Sequence, residues 1–478
     1  MSSTSLNRTL GFWRAFATCT GLVVAGTTMV SLGYSMGLVG PAFIVSALIA
    51  MFVSILVSFS YSELSSFMPG AGMIGDYTLI AMGPFMAIVS VLGGYIVLVS
   101  AAGAMESITA GLAVQSMLPS VSATLVAVTM LVLFLIINLM GVGVFGSVQV
   151  LITGSMIIGT SIMGLMGLLS IGTVNEIQAV PFNPKGWEVV FQSLALGIWL
   201  FVGIEYVAPM AEEVIEPEKT IPKAMLFGLL TIFVADMLFG QAIAHYVPLD
   251  ILEGSTAPQV DGARAMFGHA GAAIIVVITV LASASSVSSH LAAVPRMLYG
   301  LAREGLLPNA FTYVHPRFRT PWVGIIAVFI LLCIPFLLSI DMELIATLIL
   351  ASCVTWLLSY VIAQVNVMIL RRRYPNIERP FRTPLFPLPQ IIGIAACLYM
   401  ILTIHPDSEM KLRIYAISGG FMLAIVVYAV CWLRYKRIPL FRPVPLEQLY
   451  DLAQVERSES PATTSPLLQA TDKPLEQR

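Results

Sequence analysis

The chain alternates long apolar runs with short polar connections, and the runs have the length that a bilayer sets. A hydrocarbon core is crossed by a helix of about 20 mostly apolar residues. Roughly twelve such stretches are centred near residues 28, 52, 98, 131, 160, 201, 234, 286, 330, 358, 396 and 422. The pattern predicts an all-α integral membrane protein of about 12 transmembrane helices, embedded in a lipid bilayer. Two of the runs are interrupted. In the first, Gly21, Gly26, Thr27 and Thr28 weaken the helix halfway across. In the sixth, Gly203 is followed two residues on by Glu205, an ionisable group that a lipid-embedded helix has no ordinary reason to carry.

Helices one and six are equivalent if the first ten segments are two repeats of five. An odd number of spans per repeat turns the second copy upside down, the inverted-repeat pattern of many secondary transporters. A half-helix N-terminus offers free N–H groups and a positive dipole end to an anion, and free carbonyls at the opposite end suit an ammonium. Such a site fits a zwitterion. The plainer reading of Gly21, Gly26 and Gly203 is close helix packing, which small residues permit in membranes.

Composition agrees with the pattern: 58% of residues are hydrophobic and 10% charged, which excludes a water-soluble globule. Met1 to Leu10 is polar and the first apolar run, from about Phe16, is long, so no cleavable signal is expected. The five cysteines, Cys19, Cys333, Cys353, Cys397 and Cys431, lack metal-ligand spacing and read as small apolar residues. Neither a zinc-type His/Cys cluster nor a phosphate-binding glycine loop is present, and no filter sequence points to a channel. The sequence therefore predicts no enzyme, no catalytic residues, no metal, no cofactor and no nucleic-acid partner. If the segments alternate with the N-terminus inside, only Lys185, Arg264, Lys411 and Arg413 fall outside, leaving 24 − 4 = 20 of the Lys and Arg residues on the inner side. That asymmetry places both termini in the cytoplasm, with the chain in the cell (inner or plasma) membrane.

Four regions follow: a cytoplasmic N-terminus (1–15), a transport core (16–370), a cytoplasmic loop with helices eleven and twelve (371–433), and a disordered cytoplasmic tail (434–478). The tail's Pro, Ser, Thr, Gln and Glu cannot bury enough apolar surface to order it.

Glu106, Glu205 and His290 are ionisable groups inside apolar segments, where such groups carry protons or neutralise an amine-bearing solute. The bland alternatives are a hydrogen bond from Glu106 to a neighbouring backbone break or Ser107, a satisfied neutral His290, and a structural Glu205. Trp199, Tyr206, Trp356 and Tyr360 are candidate lids or stacking faces for an organic cation.

Several further stretches, in order, resemble one family. They are Tyr61-Ser-Glu-Leu-Ser-Ser-Phe-Met-Pro-Gly-Ala-Gly72, Asn138-Leu-Met-Gly141 with Gln149, Ala211-Glu-Glu213 with Pro217-Glu-Lys-Thr-Ile-Pro222, Arg296 to Pro308 with His315-Pro and Thr320-Pro321, and Arg371-Arg-Arg-Tyr-Pro375 with Arg379-Pro-Phe-Arg382. In this order and spacing, from about Thr9 to Trp432, the chain resembles the amino acid–polyamine–organocation superfamily of secondary transporters, including bacterial amino acid permeases and the arginine/agmatine antiporter.

The resemblance implies a five-plus-five inverted-repeat core with broken helices one and six, two extra C-terminal helices, and a site between helices one, three, six, eight and ten. It implies that Ala25, Gly26 and Thr27 stand where the family's unwound turn takes a substrate carboxylate, in a loosened form. It places Trp199 at a stacking position, Val202 at a backbone-carbonyl contact, Glu205 after Gly203 at a gating carboxylate, and Gly103, Glu106 and His290 in the pocket wall. Some proton-coupled relatives carry a lysine near the start of helix five; here Ser155 or Met156 occupies that place, so Glu205, Glu106 or His290 carries the proton, or the protein exchanges two solutes. The function implied is secondary active transport of an amino acid by alternating access, through proton symport or substrate exchange. The alternatives are a polyamine or other organic cation as the solute, with Glu106 as its contact, and a transporter-derived nutrient sensor.

Overall fold

A computed structural model describes residues 8–337, 342–405 and 407–449. Among these the regular secondary structure is helical, with no strand beyond a single bridge between Leu10 and Val214. Seven helices are long and apolar enough to cross a membrane, one bent pair passes the same test together, and four shorter apolar helices complete the set: 7 + 1 + 4 = 12.

In chain order these are α1 in two halves, α1a Phe12–Val23 and α1b Gly26–Val39; α2 Phe43–Phe67; α3 Pro84–Met117; α4 Ala123–Leu139; and α5 Val142–Leu168. The second five begin with α6, made of α6a Leu194–Trp199 and the 3₁₀ segment α6b Ile204–Met210. They continue with α7 Pro217–Ala244, α8 Pro258–Arg303, kinked at Gly268, α9 Trp322–Leu337 and α10 Met342–Arg373. The last two are α11 Leu388–Leu402 and α12 Ser408–Lys436. This is the all-α membrane architecture of two sets of five spans plus two, with breaks in the first span of each set.

The elements form where the sequence leaves the backbone no other partner: inside hydrocarbon every N–H and C=O must be satisfied within the segment. Leu125, Leu133 and Ile136 on α4, Leu151, Ile158 and Ile162 on α5, and Leu423 and Val427 on α12 are exposed. They form the apolar face that lipid covers. The inner faces instead carry serine and threonine, and α8 buries Ser283, Ser285, Ser286, Ser288 and Ser289 in succession. Small polar side chains let backbones approach and supply hydrogen bonds across helices.

One such knot fixes α1a. The Gln149 side-chain amide of α5 donates to Ala17 O at 3.3 Å, Ser285 O at 3.2 Å, Ser285 Oγ at 2.6 Å and Ser289 Oγ at 2.9 Å. Nearby, the Thr153 hydroxyl donates to Ala17 O at 3.3 Å. Further along α5, Met156 is fully buried and Ser155 is exposed, its hydroxyl donating to Leu151 O at 2.7 Å.

One end of the bundle is tied by buried charge. Arg296 of α8 grips Glu213, with Nη2 to Oε1 at 2.8 Å and Nε to Oε2. The carbonyl of Glu213 accepts the N–H groups of Thr9 and Leu10 at 2.9 and 3.0 Å. Burial pushes the Glu213 carboxyl above its ordinary value and Arg296 opposes that push. Close by, Arg303 Nη1 meets Glu212 at 2.9 Å. Glu63, at the end of α2, accepts from Arg371 Nε at 2.7 Å and Nη2 at 2.6 Å and from Thr383 N at 2.9 Å.

Two boundaries differ from the sequence reading. The first helix starts at Phe12, ahead of the predicted residue 16, because Phe12 and Phe16 pack on Phe227 of α7. The region read as a disordered tail from 434 stays ordered to 449. Helix α12 runs to Lys436, Phe85 N donates to Leu440 O at 2.9 Å, Leu446 N donates to Tyr374 Oη at 3.3 Å, and the ring of Phe441 lies 5.2 Å from Phe85. These aromatic and backbone contacts outweigh the polar composition that suggested disorder. The rest of the predicted tail, 450–478, lies outside the described residues.

Candidate functional site

The two halves of α1 meet at 52°, and the break falls at Val24 and Ala25, whose backbones leave the helix (ψ 80° and 163°). Gly26 and Thr27 therefore open α1b. The second break covers Leu200 to Gly203. Gly203 is left-handed (φ 102°), a conformation that favours glycine, and a Cβ there would run into Leu22 of α1a. The sequence supplies glycine where the turn and the neighbouring helix both require it.

A cavity of about 60 Å³ lies where these breaks face α3, α8, α9 and α10. Leu22, Val23, Val99, Val202, Val287, Leu332 and Ile349 make most of its wall aliphatic, and Trp199 and Trp356 add aromatic faces. Among the described residues lining it, Glu106 and His290 are the ionisable ones.

Seven of the ten residues singled out from sequence line this cavity: Ala25, Thr27, Gly103, Glu106, Trp199, Val202 and His290. Gly26, Gly203 and Glu205 do not. Gly26 is buried against Ser283 and Thr109. Glu205 is 0% exposed and serves as a hub behind the wall. It accepts from Trp356 Nε1 at 2.7 Å, Tyr360 Oη at 2.8 Å and Tyr95 Oη at 3.0 Å. Tyr360 Oη in turn accepts the Gly203 N–H at 3.1 Å, so the carboxylate, α10 and the break form one chain of hydrogen bonds.

Glu106 and Thr27 are bonded together. The Thr27 N–H donates to Glu106 Oε2 at 3.2 Å and the Thr27 hydroxyl meets Oε1. Glu106 thus bonds the neighbouring backbone break and faces the cavity at once. His290 Nε2 lies 3.0 Å from Ser100 Oγ, and its ring stacks on Tyr206 at 6.0 Å. Of the aromatic candidates, Trp199 and Trp356 reach the cavity, while Tyr360 and Tyr206 stand behind it.

The aliphatic wall and Ser286 and Ser352 were not found from sequence. In a chain this apolar, a cavity-lining leucine has no pattern that separates it from a lipid-facing one.

A twelve-span bundle whose two broken helices line one cavity has the architecture of a membrane transporter. The family profile described as amino acid permease matches residues 10–431, and the chain belongs to that family. It is 25% identical over 436 residues to the branched-chain amino acid permease BcaP of Bacillus subtilis, covering 87% of this chain and 92% of that protein. It is 27% identical over 438 residues to the methylthioribose transporter of the same organism, covering 86% and 87%. It is 29% identical over 276 residues to the serine/threonine exchanger SteT, covering 56% and 61%. The fold is shared with a crystal structure of the Eremococcus coleocola manganese transporter in complex with an aromatic bis-isothiourea substituted compound, at TM-score 0.55 and 13% identity, covering 91% of this chain and 98% of that one.

Proposed function

We propose that this permease is a secondary active transporter that moves a small neutral amino acid across the cytoplasmic membrane by alternating access. Its termini lie in the cytoplasm, and its substrate site is the cavity between α1, α3, α6, α8 and α10. The observation that carries this reading is the coincidence of both helix breaks with one buried, mostly aliphatic cavity. A cavity of about 60 Å³ admits only a small solute. Relatives are named for branched-chain amino acids and for serine and threonine.

In this reading Ala25, Gly26 and Thr27 present the N–H end of α1b to the substrate carboxylate. Val202 offers a backbone carbonyl to the ammonium, Trp199 stacks over the side chain, and Gly103 keeps space open opposite Leu332. His290 supplies a polar wall, and Gly203 with Glu205 holds the break in α6. Glu106, Glu205 and His290 are the candidate proton carriers; proton symport and solute exchange both fit the architecture.

A second reading, an amine without a carboxylate, is favoured by one observation: Glu106 already occupies the N–H end of α1b. Thermal shift separates the two. A ligand that binds only the native state stabilises it by about 2.7 kcal/mol at a hundredfold excess over Kd. Alanine, serine, valine or leucine is expected to raise the melting temperature of the detergent-solubilised protein at pH 5.5. A rise with isobutylamine or putrescine and none with amino acids would select the second reading.

A further inference from the structure

The N-terminus of α1b, a helix of 14 residues, opens into the cavity without a side-chain cap of its own, because its capping residue is Ala25. Free N–H groups and the positive dipole end make such a terminus an anion seat. The seat is taken: a buried carboxyl from another helix, Glu106 of α3, accepts the Thr27 N–H through Oε2 while its other oxygen meets the Thr27 hydroxyl. Resting on the reading that the cavity takes an amino acid, the substrate carboxylate needs the same donors.

Two carboxylates at one helix end repel each other. We propose that Glu106 is a proton-operated occupant of the substrate's carboxylate seat: the amino acid binds as Glu106 takes up one proton and gives up the Thr27 N–H. The O–H bond of Glu106 forms as one O–H bond of a hydronium ion breaks. The proton comes from water on the side to which the cavity opens and returns to water on the other side after the amino acid leaves, so one proton accompanies one amino acid.

From α8, His290 faces the same cavity, bonded to Ser100 Oγ. From α6b, Glu205 stands behind Trp356 with its three donors, two of them the hydroxyls of Tyr360 on α10 and Tyr95 on α3. Helix α4 carries no titratable residue, α1b carries only Tyr34, and α9 only Cys333.

The experiment measures binding of L-alanine, L-serine, L-valine and L-leucine to the purified full chain from pH 5 to 8, for wild type and Glu106→Gln. Glutamine is the uncharged isostere of the protonated group and, like it, can release the Thr27 N–H to the substrate. Proton uptake on binding makes the wild-type Kd rise as pH rises, by up to tenfold per unit while Glu106 is ionised in the free protein. The variant is expected to bind with a flat pH profile, at least tenfold more tightly than wild type at pH 7.5, and to exchange amino acids in proteoliposomes without concentrating them on a pH gradient. A flat wild-type profile overturns the proposal and leaves the transport reading standing; so does a variant that keeps the wild-type slope, which would move the proton to His290. Stabilisation by isobutylamine at pH 7.5 with no amino acid binding at any pH overturns both, since Glu106 is then a fixed countercharge. If Glu106→Gln fails to fold, the wild-type profile alone decides.

Discussion

Replacing Glu205 by alanine is expected to lower transport at least a hundredfold and to destabilise the protein by on the order of 3 kcal/mol or more. The carboxylate is the shared acceptor for Trp356 Nε1, Tyr360 Oη and Tyr95 Oη in a fully buried place. Removing it strands three donors, each at about 1–3 kcal/mol when no water can reach it. It also releases Tyr360, which holds the Gly203 N–H at the break in α6, so the cavity wall loses its support through Trp356. Glu205→Gln keeps an acceptor for the donors on Oε1 and is expected to retain the fold, measurable transport and the pH dependence assigned to Glu106. Melting curves with uptake at two pH values check both variants. Wild-type stability in Glu205→Ala would show that the hub is not structural, and a lost pH dependence in Glu205→Gln would make Glu205 the proton carrier.

The second large effect belongs to the buried pair Arg296–Glu213, whose side chains are 3% and 0% exposed. Removing one member of such a pair leaves an uncompensated buried charge and costs about 3–5 kcal/mol, whereas replacing both by apolar groups is often close to neutral. Arg296→Met and Glu213→Leu are each expected to lower the melting temperature steeply, and the double variant to recover much of the loss. The pair joins α8 to the loop after α6b and, through the Glu213 carbonyl, to residues 9 and 10. The rescued variant is therefore expected to transport more slowly than wild type despite its recovered stability. Additive single effects would show that the two residues do not act as a pair.

Much of this was legible in the sequence, for physical reasons that differ by element. Bilayer thickness fixes span length, so the twelve helices stood out as apolar runs, and each predicted centre falls within a span or, at 201, in the break of α6. The breaks were marked by Gly26 and Gly203, since glycine is the residue that turns or close approach demand. The tertiary pairings were not legible. Thr27 and Glu106 are 79 residues apart, and Trp356 and Glu205 are 151 apart. No local rule joins them, although each carboxylate announced itself by sitting in an apolar run. The aliphatic wall was hidden for the opposite reason: Leu332 and Ile349 look like any residue facing lipid. The tail boundary was missed because composition does not report that Phe441 meets Phe85.

The central claim, transport of an amino acid through the cavity at the two breaks, is tested most directly by counterflow. Proteoliposomes loaded with unlabelled amino acid are given a trace of the same labelled compound outside. Wild type is expected to show a saturable overshoot of label. Gly103→Leu, whose Cβ already presses on Leu332 and whose side chain enters the cavity, is expected to abolish the overshoot while still purifying as a folded protein with a lowered melting temperature. An undiminished overshoot in Gly103→Leu would put the substrate elsewhere, and no overshoot from folded wild type with any amino acid would contradict the account.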